Sequence, residues 1–236
     1  HLKWANSDVE LETAAGVVPY VYSPGIKVCA IQWCIGLELG LLAKDPMRVF
    51  ISTDHPNAGP FIRYPRVIKW LMSQEAREQQ FNAFKHKDKV IEATNLAGID
   101  RELDLYEVAQ MTRAGPAKAL GLAHMYGGLA PGMEADVAIY AFNPNAPYAP
   151  DDIETAFLNA EHLFKTGVQV IRDHEIASNG NKRTLWVNAR VNENPQVMRD
   201  VKEKFLRYYT VTLNNYEVTG HHYLPNPYVI EVDATQ

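Results

Sequence analysis

The stretch "STDHPNAGPF", residues 52–61, gathers Asp54, His55 and Asn57 directly after a run of β-prone residues, Val49 to Ser52. Two kinds of chemistry suit that placement. In one, Asp54 is an Asx-turn or N-cap residue whose carboxylate satisfies free backbone N–H groups. In the other, it is an acid or base at the carboxyl end of a strand, where barrels and open α/β sheets carry their catalytic groups. Spacing alone favours the turn. His55 and Asn57 add polar groups to the same rim, and Arg63 follows on the same loop. Asn57 and Gly59 after Pro56 are equally well explained as shaping the turn.

Elsewhere the candidates thin out. His221 and His222 are adjacent, His86 lies in the charged "KHKDK", and His124, His162 and His174 are isolated. There is no H-x-H or HExxH pattern and no Cys/His cluster, so these residues alone do not build a closed metal site. The glycines of "YGGLAPGMEAD" lack the order of a phosphate-binding loop. Cys29 and Cys34, the two cysteines, read as small buried hydrophobes, which suits a reducing cytoplasm. A net charge of -5 without a basic stripe argues against nucleic acid. The sequence holds neither an apolar run of membrane-spanning length nor a signal-peptide pattern.

The elements that must position the loop can be read in order. Residues 16–23 suggest a short strand entering a Ser-Pro-Gly turn. A helix follows, with Ile31, Ile35, Leu39 and Leu42 at helical spacing, ending before Pro46. Val49 to Ser52 reads as a strand buried on both faces. A helix from Pro65 carries Val67, Ile68, Leu71 and Met72 on one face. Then come a helix, a Gly-Pro break, and a short helix ending at Gly121. After the glycine turns of 127–132, the spacing predicts a strand over 136–142, a hairpin in "HLFKTGVQVIRDHEIAS", a strand in "TLWVNARV" and a helix in "PQVMRDVKEKFLRYY". The irregular, aromatic tail suggests two further short strands. The order is α/β, with a boundary near residue 125 before a mostly β part.

The segment "LYEVAQMTRAGPAKALGLAHMYGGLAPGMEADVAIYAFNP" resembles the end of a metal-dependent amidohydrolase, through Gly115, Pro116, Ala117, Lys118, Gly128, Pro131, Gly132, Ala135 and Asp136. More narrowly, "STDHPNAGPF…YPRVIKWLMS" is similar to the large, amidohydrolase-like subunits of formylmethanofuran dehydrogenases. The resemblance covers essentially the whole chain but less than half of the family's length. It implies the C-terminal part of a (β/α)8 barrel over 1–125, followed by a small β-sandwich and extension over 126–236. Asp54 then falls on the family's catalytic aspartate, a proton shuttle and candidate metal ligand. His55, Asn57 and Arg63 fall at the substrate mouth.

The resemblance also implies a binuclear zinc centre whose other ligands lie outside this chain: an H-x-H pair, a carboxylated lysine and two further histidines. The reaction it implies is condensation of formate with methanofuran to formylmethanofuran, and its reverse, the first step of methanogenesis from carbon dioxide. The formate comes from a tungsten- or molybdenum-pterin subunit, with iron–sulfur clusters in ferredoxin-like partner subunits. On this view the chain alone is inactive. Two other readings stand beside it: the formyltransferase/hydrolase complex of methylotrophic bacteria, and a non-catalytic scaffold.

Overall fold

The computed structural model describes residues 23–52, 60–180, 183–192, 194–208, 224 and 226–235 of the 236. Val18–Gly180 forms one compact unit, and Asn181–Gln236 belongs to another. The suggested strand at 16–23, save Ser23, and most of the aromatic tail lie outside the described residues.

In the first unit, helix α1 (Lys27–Leu42) opens after the Ser-Pro-Gly turn, where the Ile26 N–H reaches the Ser23 carbonyl at 3.1 Å. Its position matches the sequence reading, but its orientation does not. Cys29, Ala30, Cys34, Leu37 and Leu41 face the core, while Ile35, Leu39 and Leu42 face outward. The reason is that α1 is apolar almost all round, with Lys27, Gln32 and Glu38 as its polar side chains, so spacing cannot select a face.

The long helix expected from Pro65 is two helices, α2 (Tyr64–Met72) and α3 (Gln74–Asn82). Ser73 between them is extended (φ −142°, ψ 117°), and its hydroxyl accepts from the Ala76 N–H at 3.1 Å. An N-cap of this kind needs a non-helical residue, so it ends one helix as it starts the next. Ile68, Leu71 and Met72 face the core as expected. Helix α4 (Lys87–Ile91) then brings Val90 inward, and Leu96 and Leu103 complete this side. The aromatic centre is Trp33, edge-on to Trp70, Phe81 and Phe84 at 5.2, 5.7 and 5.4 Å. These are packing geometries.

Helix α5 (Leu105–Ala109) starts with a capping box: Asp104 accepts from the Glu107 N–H at 2.8 Å and Glu107 from the Asp104 N–H at 3.1 Å. Arg101 ties this cap to α1, bonding Glu107 and the carbonyls of Leu41 and Ala43. The expected Gly-Pro break is absent. The chain passes through a π-turn, Gln110–Ala114, straight into α6 (Gly115–Ala119). A π-turn inserts one extra residue, which moves the carbonyl that the Pro116 ring would strike and absorbs its missing N–H.

Gly121 ends this run at φ +73°, and Gly127 and Gly132 also take positive φ, as turns require. Strands β1 (Val137–Ile139), β2 (His162–Lys165), β3 (Val168–Arg172) and β4 (Glu175–Ile176) form an antiparallel sheet in that order. The hairpin at 166–167 was legible: Thr166 and Gly167 both have positive φ, as a tight hairpin turn demands. Asp136, one of the motif residues, holds that turn by accepting from the Thr166 N–H at 2.7 Å and from the Lys165 ammonium. Helix α7 (Pro150–Leu158), which sequence spacing did not suggest, buries Ile153 in the core.

In the second unit, β5 (Thr184–Val191) and β6 (Pro227–Ala234) pair in parallel, from Thr184 opposite Pro227 to Val191 opposite Ala234. Asn188 donates to both carboxylate oxygens of Glu231, at 3.1 and 2.9 Å. Helix α8 (Pro195–Tyr208) follows the sequence reading, and none of its residues is buried.

Candidate functional site

Asp54, His55 and Asn57 lie outside the described residues, so the structure defines the two flanks of their loop. On the incoming side, a 3₁₀ turn (Pro46–Arg48) is capped by Asp45, whose carboxylate accepts from the Met47 N–H at 3.0 Å. Val49 is then extended (φ −123°, ψ 126°), but Val49 to Ser52 is neither laddered nor buried on both faces. The expectation of a buried strand is corrected here. A strand is defined by its ladder, and among the described residues Val49 to Ser52 has no partner strand.

This flank is seated against the helix carrying the Gly-Pro motif. A Cβ on Gly115 would lie 2.8 Å from the Phe50 ring, 2.9 Å from the Gln110 carbonyl and 3.1 Å from the Met47 carbonyl. Glycine at 115 is therefore a spacing device: it lets the chain entering the Asp54 loop lie directly on the helix. Gly115→Ala should cost roughly 1–3 kcal/mol, as overpacking does, because two of the three neighbours are backbone atoms. Chemical denaturation against the unmodified protein measures this. A neutral result would mean that the 46–50 segment yields freely.

On the outgoing side, Pro60 leads into a second 3₁₀ turn, Phe61–Arg63, closed by the Arg63 N–H on the Pro60 carbonyl at 2.9 Å. Arg63 stands at the N-cap position of α2 with its side chain exposed, beside exposed Phe61 and Ile62. Arg63 is thus the one proposed mouth residue whose place is described.

Helix α2 is fixed in turn by a charge network that sequence reading missed. Arg66 Nε bonds Glu154 Oε1 at 2.9 Å, and Lys69 Nζ bonds Asp151 at 3.0 Å and also Glu154. Partial burial pushes the Glu154 carboxyl up, but hydrogen bonds and charges from Lys69 and Arg66 outweigh it and hold it below the usual carboxylate range. Burial likewise pushes Lys69 down, and its bonds to Glu154 and Asp151 carry it above the ordinary lysine value. The signal for α7 was available in "PDDIE": proline at the first helical position and an acidic first turn, with Asp152 reaching back to the Ala149 N–H at 2.7 Å.

The pH consequence has a definite sign. A lowered Glu154 stabilises the fold above its unfolded pKa, about 4.3, and that contribution is lost as pH falls through the lowered folded value. A raised Lys69 stabilises below about 10.4, and is lost as pH rises through its raised value. Glu154→Gln should therefore destabilise by on the order of 1 kcal/mol at neutral pH and approach the unmodified protein in acid. Melting curves of both proteins across pH would reveal a pH-independent difference if the network contributes nothing.

Cys34 is fully buried, and burial pushes its thiol up to about 11, so it is inert at neutral pH, as expected for a core residue. His86 and His124 are exposed and His162 lies on β2. Among the described residues no three His, Cys, Asp or Glu side chains converge as a metal site. No described helix is long and apolar enough to cross a membrane.

The fold and the loop that it carries match a known class. The model of the amidohydrolase family matches residues 1–173, and the chain belongs to that family. More particularly, it is similar to Protein FwdA of Methanocaldococcus jannaschii, a formylmethanofuran dehydrogenase subunit, at 47% identity over 236 residues. That match covers 99% of this chain and 41% of FwdA. The FhcA subunit of the formyltransferase/hydrolase complex Fhc of Methylorubrum extorquens is 40% identical over 183 residues, covering 78% of this chain and 31% of that protein. The crystal structure of the FhcABCD complex from that organism, with methylofuran bound, contains a chain that matches with a TM-score of 0.70 at 33% identity. It covers 90% of this chain and 37% of that one. The chain thus spans about two fifths of the length of FwdA, and the narrower resemblance seen in its sequence is borne out.

Proposed function

We propose that this chain works within the amidohydrolase-like subunit of a formylmethanofuran dehydrogenase, joining formate to methanofuran as formylmethanofuran and reversing that step. The observation that carries the reading is the 47% identity to FwdA across 99% of the chain. In this reading residues 1–125 belong to a (β/α)8 barrel and 126–236 to a β-sandwich and extension.

Asp54 is the group that moves the proton. In the synthetic direction the attacking amine must lose a proton; in the hydrolytic direction the leaving nitrogen must gain one. A carboxylate within hydrogen-bond reach of that nitrogen does both. His55, Asn57 and Arg63 border the entrance for methanofuran. A binuclear zinc centre, when bound, would polarise the carbonyl and acidify water. In this reading Asp54 is the one ligand this chain supplies, the other ligands come from the rest of the subunit, and the chain alone is inactive. The partners are a tungsten- or molybdenum-pterin subunit supplying formate and ferredoxin-like subunits carrying iron–sulfur clusters, in the cytoplasm.

A second reading has its own support in the likeness to FhcA and to the FhcABCD structure: the chain would then serve a formyltransferase/hydrolase complex. The test is to purify the native complex, measure its metals, and assay it with formate, methanofuran and a reductant under carbon dioxide. Tungsten or molybdenum with formylmethanofuran formed from carbon dioxide supports the first reading. Formyl hydrolysis without either metal selects the second. No activity on any formyl amide would leave a scaffold and overturn both.

A further inference from the structure

Arg77 is buried, yet among the described residues no carboxylate is bonded to it. Its three hydrogen bonds go to the main-chain carbonyls of Trp70, Ile99 and Arg101. A guanidinium carries five N–H donors, so at least two of them have no acceptor among the described residues. Glu102 and Glu78 act on Arg77 through their charge alone. Glu102 accepts from the Gln74 N–H at 2.6 Å, and Glu78 from the Gln74 side-chain amide at 3.1 Å. A buried cation with spare donors and no bonded counter-charge is half of an ion pair that an anion completes.

A groove of about 250 Å³ opens beside Arg77, bounded by α3, α4 and the 3₁₀ turn Leu96–Gly98. Phe81, Ile91, Leu96, Ala97 and Ile99 make its walls apolar. Exposed Lys87, whose ammonium bonds Asn82 Oδ1 at 2.8 Å, adds a second positive charge to the lining, and Glu78 adds a negative one. The lining is therefore positive by one charge, Arg77 included. Its volume falls just below the roughly 300 Å³ at which ligand pockets begin, which suits a small molecule. A doubly charged phosphate would meet apolar wall on most sides and lose its hydration without repayment. A single carboxylate on an apolar body matches both the charge and the walls.

We infer that this groove binds a small monocarboxylate, its carboxylate accepting from an unused Arg77 N–H and its apolar body lying on Phe81, Leu96 and Ile99. The inference goes beyond the formyl-transfer reading and does not rest on it.

Hexanoate is the probe, titrated calorimetrically into the protein expressed from its whole reading frame, with hexanol as its uncharged counterpart. Ala97→Leu fills the groove from an exposed wall position and leaves Arg77 and its three bonds in place. The expected result is one hexanoate per chain with a Kd below about 1 mM, and hexanol at least about tenfold weaker. Ala97→Leu should weaken hexanoate at least about tenfold, at an unchanged melting temperature. A diazirine-bearing carboxylate of the same length locates the site without any substitution, and its crosslinks should fall within residues 74–99. Absence of saturable binding overturns the inference, as does hexanol binding equally well, which would make the groove merely greasy. Full affinity in a folded Ala97→Leu protein, or crosslinks confined to other residues, would put the carboxylate elsewhere and also overturn it. None of these results alters the formyl-transfer reading, which stands or falls on the assay above.

Discussion

In the assembled complex, Asp54→Asn is expected to lower formyl transfer by at least about 100-fold while leaving assembly and melting temperature unchanged. The substitution separates the two roles that the loop sequence allows. Asparagine keeps the shape of aspartate and serves equally well in an Asx-turn, because its side-chain oxygen still accepts backbone N–H bonds. It cannot take up or give back a proton in the working pH range. A turn-forming Asp54 would therefore tolerate the change, and a proton shuttle would not. The measurement is the initial rate of formylmethanofuran formation from formate and methanofuran, with a melting curve on the same sample. Retained activity would return Asp54 to the turn reading. Lost activity with a lowered melting temperature would show that the loop's shape had been disturbed. The flanks argue against such a disturbance, since the incoming chain is held by Asp45 and by its seat on Gly115, and the outgoing chain by the Phe61–Arg63 turn.

What the sequence could and could not reveal follows from which interactions are local. Helices α1 and α2 were legible because proline, glycine and apolar spacing mark them within a few residues. The buried face of α1 was not, because a helix with apolar residues on every side carries no internal preference. The strand at Val49 to Ser52 was read from β-prone residues, yet a ladder is a property of two segments, and the partner is not among the described ones. The division at Ser73 was signalled locally by a serine before Gln-Glu, an N-cap pattern that a reading of one continuous helix passes over. Gly115-Pro116 looked like a break because proline forbids the ordinary α-helical bond; the π-turn that rescues the helix leaves no signature of its own in the sequence. The candidate site was legible through the resemblance of "STDHPNAGPF" rather than through spacing. The Arg66, Lys69, Glu154 network was not legible at all, since its members stand more than eighty residues apart.

The largest stability effect is expected at Arg77, which is 1% exposed and has no carboxylate partner among the described residues. Burial lowers its guanidinium from the ordinary arginine value, partly offset by the charges of Glu102 and Glu78. It is retained as a cation because it donates to three main-chain carbonyls: Trp70 at 2.8 Å, Arg101 at 2.9 Å and Ile99 at 3.1 Å. Trp70 lies in the last turn of α2, where carbonyls have no helical donor. Ile99 and Arg101 belong to the loop whose Arg101 side chain in turn caps α1. One guanidinium thus joins the end of α2, the start of α3 and the segment that closes α1. Arg77→Leu keeps the apolar packing beside Phe81 but removes all three bonds at once. A buried carbonyl left unsatisfied costs about 1–3 kcal/mol, and water entering from the groove beside Phe81, Leu96 and Ile99 would recover part of this. The expected net loss is roughly 3–5 kcal/mol, or about 10 °C in melting temperature. Arg77→Lys should lose nearly as much, since a single ammonium cannot span three diverging carbonyls. Denaturant unfolding of both variants measures this. If Lys restores stability while Leu does not, charge and not the three-way fork is what the site requires.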